Sequence, residues 1–262
     1  MEEDVKVTSI KAIGIKAIGF DLFNTLITAR PHAVSEAVER LFKSLKEQGF
    51  ELQEDSFKQA YRENATRIIK ETRKNGRETH NRFWISATLN SLGHDVEPYD
   101  QRIEACLDSY FSAFLDYCEV IPGTFEMLGT VTGLYKTGLL SNFTHPPAAE
   151  RLIEELGLRP FFQFVLISGA LGYRKPHPFV FKRMREEFHV ESENILYVGD
   201  DPDPDINGAV KAGMRAIWFT YARDHHIPTV PGVGPSGVSE LVYDVPRAST
   251  WEEFLTIIGQ GV

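Results

Sequence analysis

Several short apolar runs in this chain stop at residues able to do chemistry. "KAIGFD" ends at Asp21, "TGLLSN" at Ser141 and Asn142, and "ILYVGDDPDPD" at Asp200, Asp201, Asp203 and Asp205, while "GYRKPHP" carries Lys175. A carboxylate, a hydroxyl and an ammonium group brought together could supply a nucleophile, a hydrogen-bond donor and a counter-charge for an anionic substrate. Singly, each has a plainer role. An aspartate or serine after a strand commonly caps a turn or helix, and a lone lysine is usually a solvated surface charge. Carboxylates crowded as in "DDPDPD" repel one another unless water or a cation intervenes. A calcium loop of the EF-hand type is excluded, because Ile206 stands where the sharp-turn glycine belongs and Ala212 where the closing glutamate belongs. Hard oxygen ligands brought from two strand ends suit Mg²⁺ instead.

These residues can meet only if the elements before them converge. From Lys16, "AIGF" is an apolar run followed by turn chemistry, the pattern of a strand buried on both faces. The pentapeptide written twice in "IKAIGIKAIG" is too short for a repeat architecture and lengthens the lead-in to this strand. After Ile121-Pro122-Gly123, strands are predicted at 137–140, 164–168, 195–198 and 216–219, alternating with helices near 147–156, 178–188 and 206–212. That alternation predicts an α/β, Rossmann-like parallel sheet with helices on both faces, in which ligands bind beyond the carboxyl ends of the strands.

Between the first strand and the rest, the spacing becomes helical. Val34, Val38, Leu41 and Leu45 recur at threes and fours, and helices are predicted near 33–48, 55–74, 80–92 and 99–118, with stops at Gly49, Asn75-Gly76 and Gly93-His94. The expected organisation is a core of residues 1–30 and 120–262 interrupted by an all-α unit of residues 31–119. The Gly- and Pro-rich stretch 228–237 is predicted to be a flexible connection. "ELVYDVPRASTWEEFLTII" then predicts a last short strand and a helix capped by Ser249 or Thr250.

Composition narrows the partners. Of 262 residues, 42% are hydrophobic and 25% charged, as in ordinary globular proteins, and no run approaches the ~20 apolar residues of a membrane helix. A formal charge of -9 argues against a general affinity for nucleic acid, while a local basic pocket could still hold a small-molecule anionic substrate, and small polar partners remain open. Nothing in the residues specifies an oligomeric state. The acidic start Met-Glu-Glu-Asp is unlike a secretory or transit signal and predicts a cytoplasmic protein. Cys106 and Cys118, without a CxxC or a nearby histidine at zinc-ligand spacing, read as reduced structural thiols.

Together the four stretches resemble the haloacid dehalogenase superfamily of hydrolases. "GFDLFNTLI" resembles its first motif with Asp21 as nucleophile and "GLLSN" its second with Ser141. Lys175 in "YRKPHP" resembles the third, and "VGDDPDPDINGA" the fourth, with Asp200 and Asp205 at its spacing. The likeness spans about residues 16–220, and the helical insert falls where the superfamily's type 1 cap lies. For a phosphate ester the resemblance implies attack by Asp21 on phosphorus, an aspartyl-phosphate and its cleavage by water, with Lys175 and Ser141 holding the transferring group. It implies Mg²⁺ on Asp21, on the main-chain carbonyl of Phe23 and on Asp200, with Asp205 in the same acidic set. Thr25, Asn142 and Arg30 are the expected substrate-binding residues.

Phe23 is the departure. Typical phosphatases of the superfamily carry there a second aspartate that protonates the leaving oxygen, help worth roughly 10²- to 10⁴-fold. Three readings follow. The first is a Mg²⁺-dependent phosphatase for substrates that leave with little help. The second is a 2-haloacid dehalogenase, whose relatives also carry an aromatic residue here, although metal-free dehalogenases lack the counterpart of Asp200. The third is a slow or inactive member acting as a binding protein. Further candidates for shaping the site are His32 and Phe83-Trp84, with His145 as a substitute proton source, whereas His225-His226 reads as surface.

Overall fold

The computed structural model describes residues 14–227 and 240–259. The acidic start, most of the first pentapeptide copy and the 228–237 connection lie outside them. In chain order the first half comprises β1 (Ala17–Phe20), β2 (Ile27–Ala29), α1 (Ala33–Glu47), α2 (Glu54–Asn75), α3 (Asn81–Ser91), α4 (Gln101–Tyr117) and β3 (Cys118–Val120). The second comprises α5 (Thr124–Thr132), β4 (Lys136–Ser141), α6 (Pro146–Glu155), β5 (Phe164–Ile167), α7 (Ser168–Leu171), α8 (Pro178–Phe188), β6 (Ile195–Gly199), α9 (Gly208–Lys211), β7 (Arg215–Phe219), α10 (Tyr221–Asp224), β8 (Arg247–Ala248) and α11 (Trp251–Ile257).

Six strands form one parallel sheet in the order β5-β4-β1-β6-β7-β8. β1 lies in the middle because it is apolar on both faces. Ile18 and Phe20 enter one core layer, with Trp251 and Phe254 of α11, and Ala17 enters the other, with Phe181, Met184 and Phe188 of α8. Phe20 pairs with Leu139 on one side and Val198 on the other, so β4, β1 and β6 end level with one another. The chain after β1 therefore leaves the sheet beside the last residues of both neighbours. This is the edge where a doubly wound sheet binds its ligands.

The helices α1–α4 are inserted between β2 and β3, which pair antiparallel as a short ribbon. α1 packs mainly along α4, burying Ala33, Ala37, Leu41 and Leu45 on its inner stripe. α2 ends at Gly76 in the left-handed conformation, where its N–H reaches the Thr72 carbonyl. Thr250 accepts the Glu253 N–H and so is the cap of α11, while the Glu253 carboxylate accepts the N–H of Ser249, the residue before the cap.

One expectation needs correcting. The acidic stretch is helical from its start: Pro202–Asn207 forms a wide π turn, with the Asp205 and Ile206 N–H groups both on the Asp201 carbonyl, before α9 continues it. Pro202 and Pro204 look like breakers in the sequence, yet a proline in the first turn of a helix lacks only an N–H that would have no partner there.

The inserted helices touch the sheet edge away from the ribbon as well. Thr144 donates to Asn81, and the rings of His80 and His145 share a 2.7 Å Nε2–Nδ1 hydrogen bond, with His145 stacked on Phe111. One nitrogen of that pair must be unprotonated. Burial, then Arg82 and His145, hold the His80 pKa down to about 4, and burial lowers that of His145. An unfolded His titrates near ~6.5, so the unfolded chain binds more protons between about 6.5 and 4 and stability falls as pH falls through that window. Thermal denaturation across it is expected to show a steeper loss for the native chain than for His80→Gln; equal slopes would refute this account of the pair.

Candidate functional site

The ends of β4, β1 and β6 place Ser141, Asp21 and Asp200 side by side, and the loop after α7 brings in Lys175. The Asp21 N–H bonds to the Val198 carbonyl, which ties the residue to the next strand. Lys175 is buried. Its Nζ donates to Asp21 Oδ1 at 2.5 Å and to the Tyr197 hydroxyl at 2.8 Å, and that hydroxyl donates to the Leu140 carbonyl. Nζ also lies 2.6 Å from Asp205 Oδ1, a charge contact without hydrogen-bond alignment, while Asp205 Oδ2 accepts the Asp201 N–H.

Oxygens of Asp21, Asp200 and Asp205 lie within 4.8 Å of one another. Burial pushes the Asp21 carboxyl up to about 7, with Lys175 opposing that rise and Asp205 adding to it. Asp200 is held well above the carboxylate range by burial and then by Asp205, Asp21 and Asp201. Burial alone would lower the Lys175 pKa, but Asp205 and Asp21 outweigh it and keep the ammonium charged. One lysine thus faces a surplus of buried acid, and an all-oxygen donor set with excess negative charge fits a hard divalent cation.

These groups form the floor of a pocket of about 1170 Å³, open solvent at its mouth included. Phe23, Phe143, Phe111, Phe114, Tyr110 and Trp84 line one side, and Arg73, Asn81, Arg174, Asp201 and Asp203 appear elsewhere on its wall. Phe23 lies parallel to Phe143 with ring centres 5.7 Å apart and meets Phe114 edge-on at 6.3 Å. Phe23 is therefore a ring locked among rings.

The structure brings together Asp21, Phe23, Ser141, Asn142, Lys175, Asp200 and Asp205. Asn142 is on the wall, but its side-chain amide is occupied: Nδ2 donates to the Lys175 carbonyl and Oδ1 accepts the Lys175 N–H, so it fixes the lysine's backbone. Thr25 and Arg30 are not brought there. The turn after Leu22, with Asn24 left-handed, buries Thr25 completely, and its Oγ1 meets no hydrogen-bond partner among the described residues. Arg30 follows β2 and pairs with Glu119 at 2.9 Å on an exposed face of the ribbon. His32 is exposed before α1, Phe83 packs on Tyr99, and His145 is tied to His80; none of the three lines the pocket. His225 and His226 are outside it as well.

Several residues at or beneath the site had little signal in the sequence. Tyr197, which holds Lys175, looks like one more apolar residue of "ILYVG". Arg73 and Asn81 depend on how the inserted helices lie over the sheet. Arg174 stood beside Lys175 in "YRKPHP" without a partner to give it meaning. In the structure it lies 3.5 Å from the buried Glu78 carboxylate, which also accepts the Ser168 hydroxyl at 2.6 Å.

The site is thus an acid at the tip of the central strand of a Rossmann-like parallel sheet, paired with a buried lysine. The chain belongs to the haloacid dehalogenase-like hydrolase family, whose profile matches residues 15–213. It is 30% identical over 210 residues to the glyceraldehyde 3-phosphate phosphatase of Pyrococcus furiosus, covering 80% of this chain and 82% of that protein. To the protein of that name from Methanopyrus kandleri it is 33% identical over 207 residues, covering 78% and 83%. Among solved structures, a 2-haloacid dehalogenase from Pseudomonas syringae pv. Tomato is similar with a TM-score of 0.69 at 22% identity, over 94% of this chain and 99% of that one, a likeness of fold.

Gly199 gives the acid cluster its room. A Cβ there would lie 2.5 Å from the Asp205 Cγ and 2.6 Å from its Oδ2. Gly199→Ala is expected to cost about 1–3 kcal/mol of stability through overpacking, read as a lower urea midpoint at unchanged slope. A midpoint equal to that of the native chain would show that Asp205 can yield without loss.

Proposed function

We propose that this chain is a Mg²⁺-dependent phosphatase acting on a small phosphorylated metabolite through a covalent intermediate on Asp21. The observation that carries the reading is the Lys175 ammonium held between Asp21 and Asp205, with Asp200 beside them. The phosphatase names of the relatives from P. furiosus and M. kandleri support it. The two buried, unpaired-as-disulfide cysteines support a reducing, cytoplasmic setting.

Asp21 attacks phosphorus, a carboxylate oxygen–phosphorus bond forms, and the ester oxygen departs with its electron pair. Water then attacks the aspartyl-phosphate, releasing phosphate and restoring the carboxylate. Lys175 Nζ on Asp21 Oδ1 aims that carboxylate and favours its ionised form, opposing the burial that brings its pKa up to about 7. The Ser141 hydroxyl and the lysine hold the transferring group. Asp21, the Phe23 main-chain carbonyl and Asp200 would hold Mg²⁺, with Asp205 securing Lys175 and the acidic turn. When bound, the cation neutralises charge that builds on the phosphoryl oxygens. The helices of residues 31–119 act as the cap that shields the site and shapes specificity.

Phe23 offers no proton, so the leaving group departs as an anion or takes a proton from water. Mg²⁺-dependent hydrolysis of an aryl or acyl phosphate is expected, falling by about three orders of magnitude or more in Asp21→Asn. Phe23→Asp is expected to raise turnover of alkyl phosphates by about tenfold or more; no gain, with metal binding intact, overturns this account of the position. One observation favours a second reading, 2-haloacid dehalogenation: an aromatic ring fills the acid's place, and halide needs no proton. Chloride release from 2-chloropropionate unaffected by chelator, with no phosphate-ester hydrolysis, would establish that reading in place of the first.

A further inference from the structure

Two sides of the pocket differ in kind. One carries charges of both signs, Arg73 and Arg174 with Asp201 and Asp203, so it does not favour a charged tail of either sign. The other is aromatic and built from both layers of the molecule, five of its six rings being buried against one another. Phe23 and Phe143 come from the sheet edge; Tyr110, Phe111 and Phe114 come from α4, and Trp84 from α3. Phe143 is the hub, with ring centres 5.7 Å from Phe23, 5.4 Å from Phe111 and 6.0 Å from Phe114, and Tyr110 meets Phe111 edge-on at 4.9 Å. Trp84 is only partly buried, which leaves indole surface to the pocket.

Such a surface is a poor neighbour for a polyol. Hydroxyl groups set against the ring carbons lose their water and gain no partner, whereas a flat apolar group displaces that water favourably and packs against the rings. The same surface occupies the place of the missing acid. A leaving group whose oxygen is bonded to a ring departs as a stabilised anion and asks for no proton. Absence of a donor and presence of rings thus point to one kind of ligand.

We propose that the pocket is a subsite for an apolar, ring-bearing body, so that the ligands of this site are phosphomonoesters of aromatic or similarly flat apolar alcohols and not of small polyols. This rests on the phosphatase reading above and adds the substrate class to it. Non-hydrolysable phosphonates separate binding from leaving-group chemistry: benzylphosphonate and 3-hydroxypropylphosphonate carry the same head group and differ in the body. Titration calorimetry on the full chain with Mg²⁺ is expected to give benzylphosphonate a Kd at least tenfold lower, and Trp84→Gln is expected to bring the ratio below threefold. Equal affinities in the native chain, or a ratio untouched by Trp84→Gln, overturn the subsite alone. Binding of neither phosphonate to folded chain overturns the phosphatase reading together with it.

Discussion

Much of this molecule is arranged around one buried ammonium group. Lys175 sits with its nitrogen 2.5 Å from Asp21 and 2.6 Å from Asp205, almost out of contact with water. Taking each such ion out of water costs several kcal/mol, which close and well-oriented opposite charge can offset. The surroundings supply that orientation. Asn142 grips the lysine's own peptide groups, Tyr197 takes a second Nζ hydrogen bond, and the Asp201 N–H holds the far oxygen of Asp205. Sheet register enters here too, since β4, β1 and β6 must end level for these partners to coincide. A core of this kind is expensive to assemble, and its acid remains in excess of its base. That imbalance is what a hard cation would offset, and it sets the cluster apart from a simple ion pair.

Phe23 shows how a single position can serve two layers at once. Its backbone stays at the sheet edge, close to the acids, while its ring joins Phe143 and the α4 rings in a seam between the sheet edge and the inserted helices. Burying those rings contributes packing that a carboxylate there could not. An aromatic ring at this position therefore brings apolar contact across the junction that an acid would forgo, so its packing and its chemistry are set together.

Much of the site could be read from the chain because a parallel sheet gathers strand ends. Once "AIGF", "TGLL" and "ILYV" are taken as strands, Asp21, Ser141 and Asp200 must lie on one edge whatever the intervening residues do. The four inserted helices were equally legible, since their apolar spacing and glycine stops are local. What escaped was non-local or set by neighbours. The ribbon strands are three residues each, and its Arg30 and Glu119 stand 89 residues apart, so no local pattern marks them and Arg30 looked available for a ligand. Thr25 seemed to follow a catalytic acid into the pocket, but a left-handed turn at Asn24 sent it inward. The π turn hid behind two prolines that normally signal the end of helix. Arg73 and Asn81 acquire meaning only from the way the inserted helices lie over the sheet, whereas Trp84, a candidate from the sequence, does line the pocket.

The β2–β3 ribbon has a topological consequence. Some ninety residues of helix leave and return through two strands that lie side by side, about 5 Å apart as paired strands must. The sheet therefore sees the whole excursion as a hairpin, and its own strand order and register are indifferent to how long that hairpin is or what it contains. The same two strands fix where the insert begins and ends, so every inserted helix that reaches the pocket, from Arg73 on α2 to Phe114 on α4, hangs from this one ribbon.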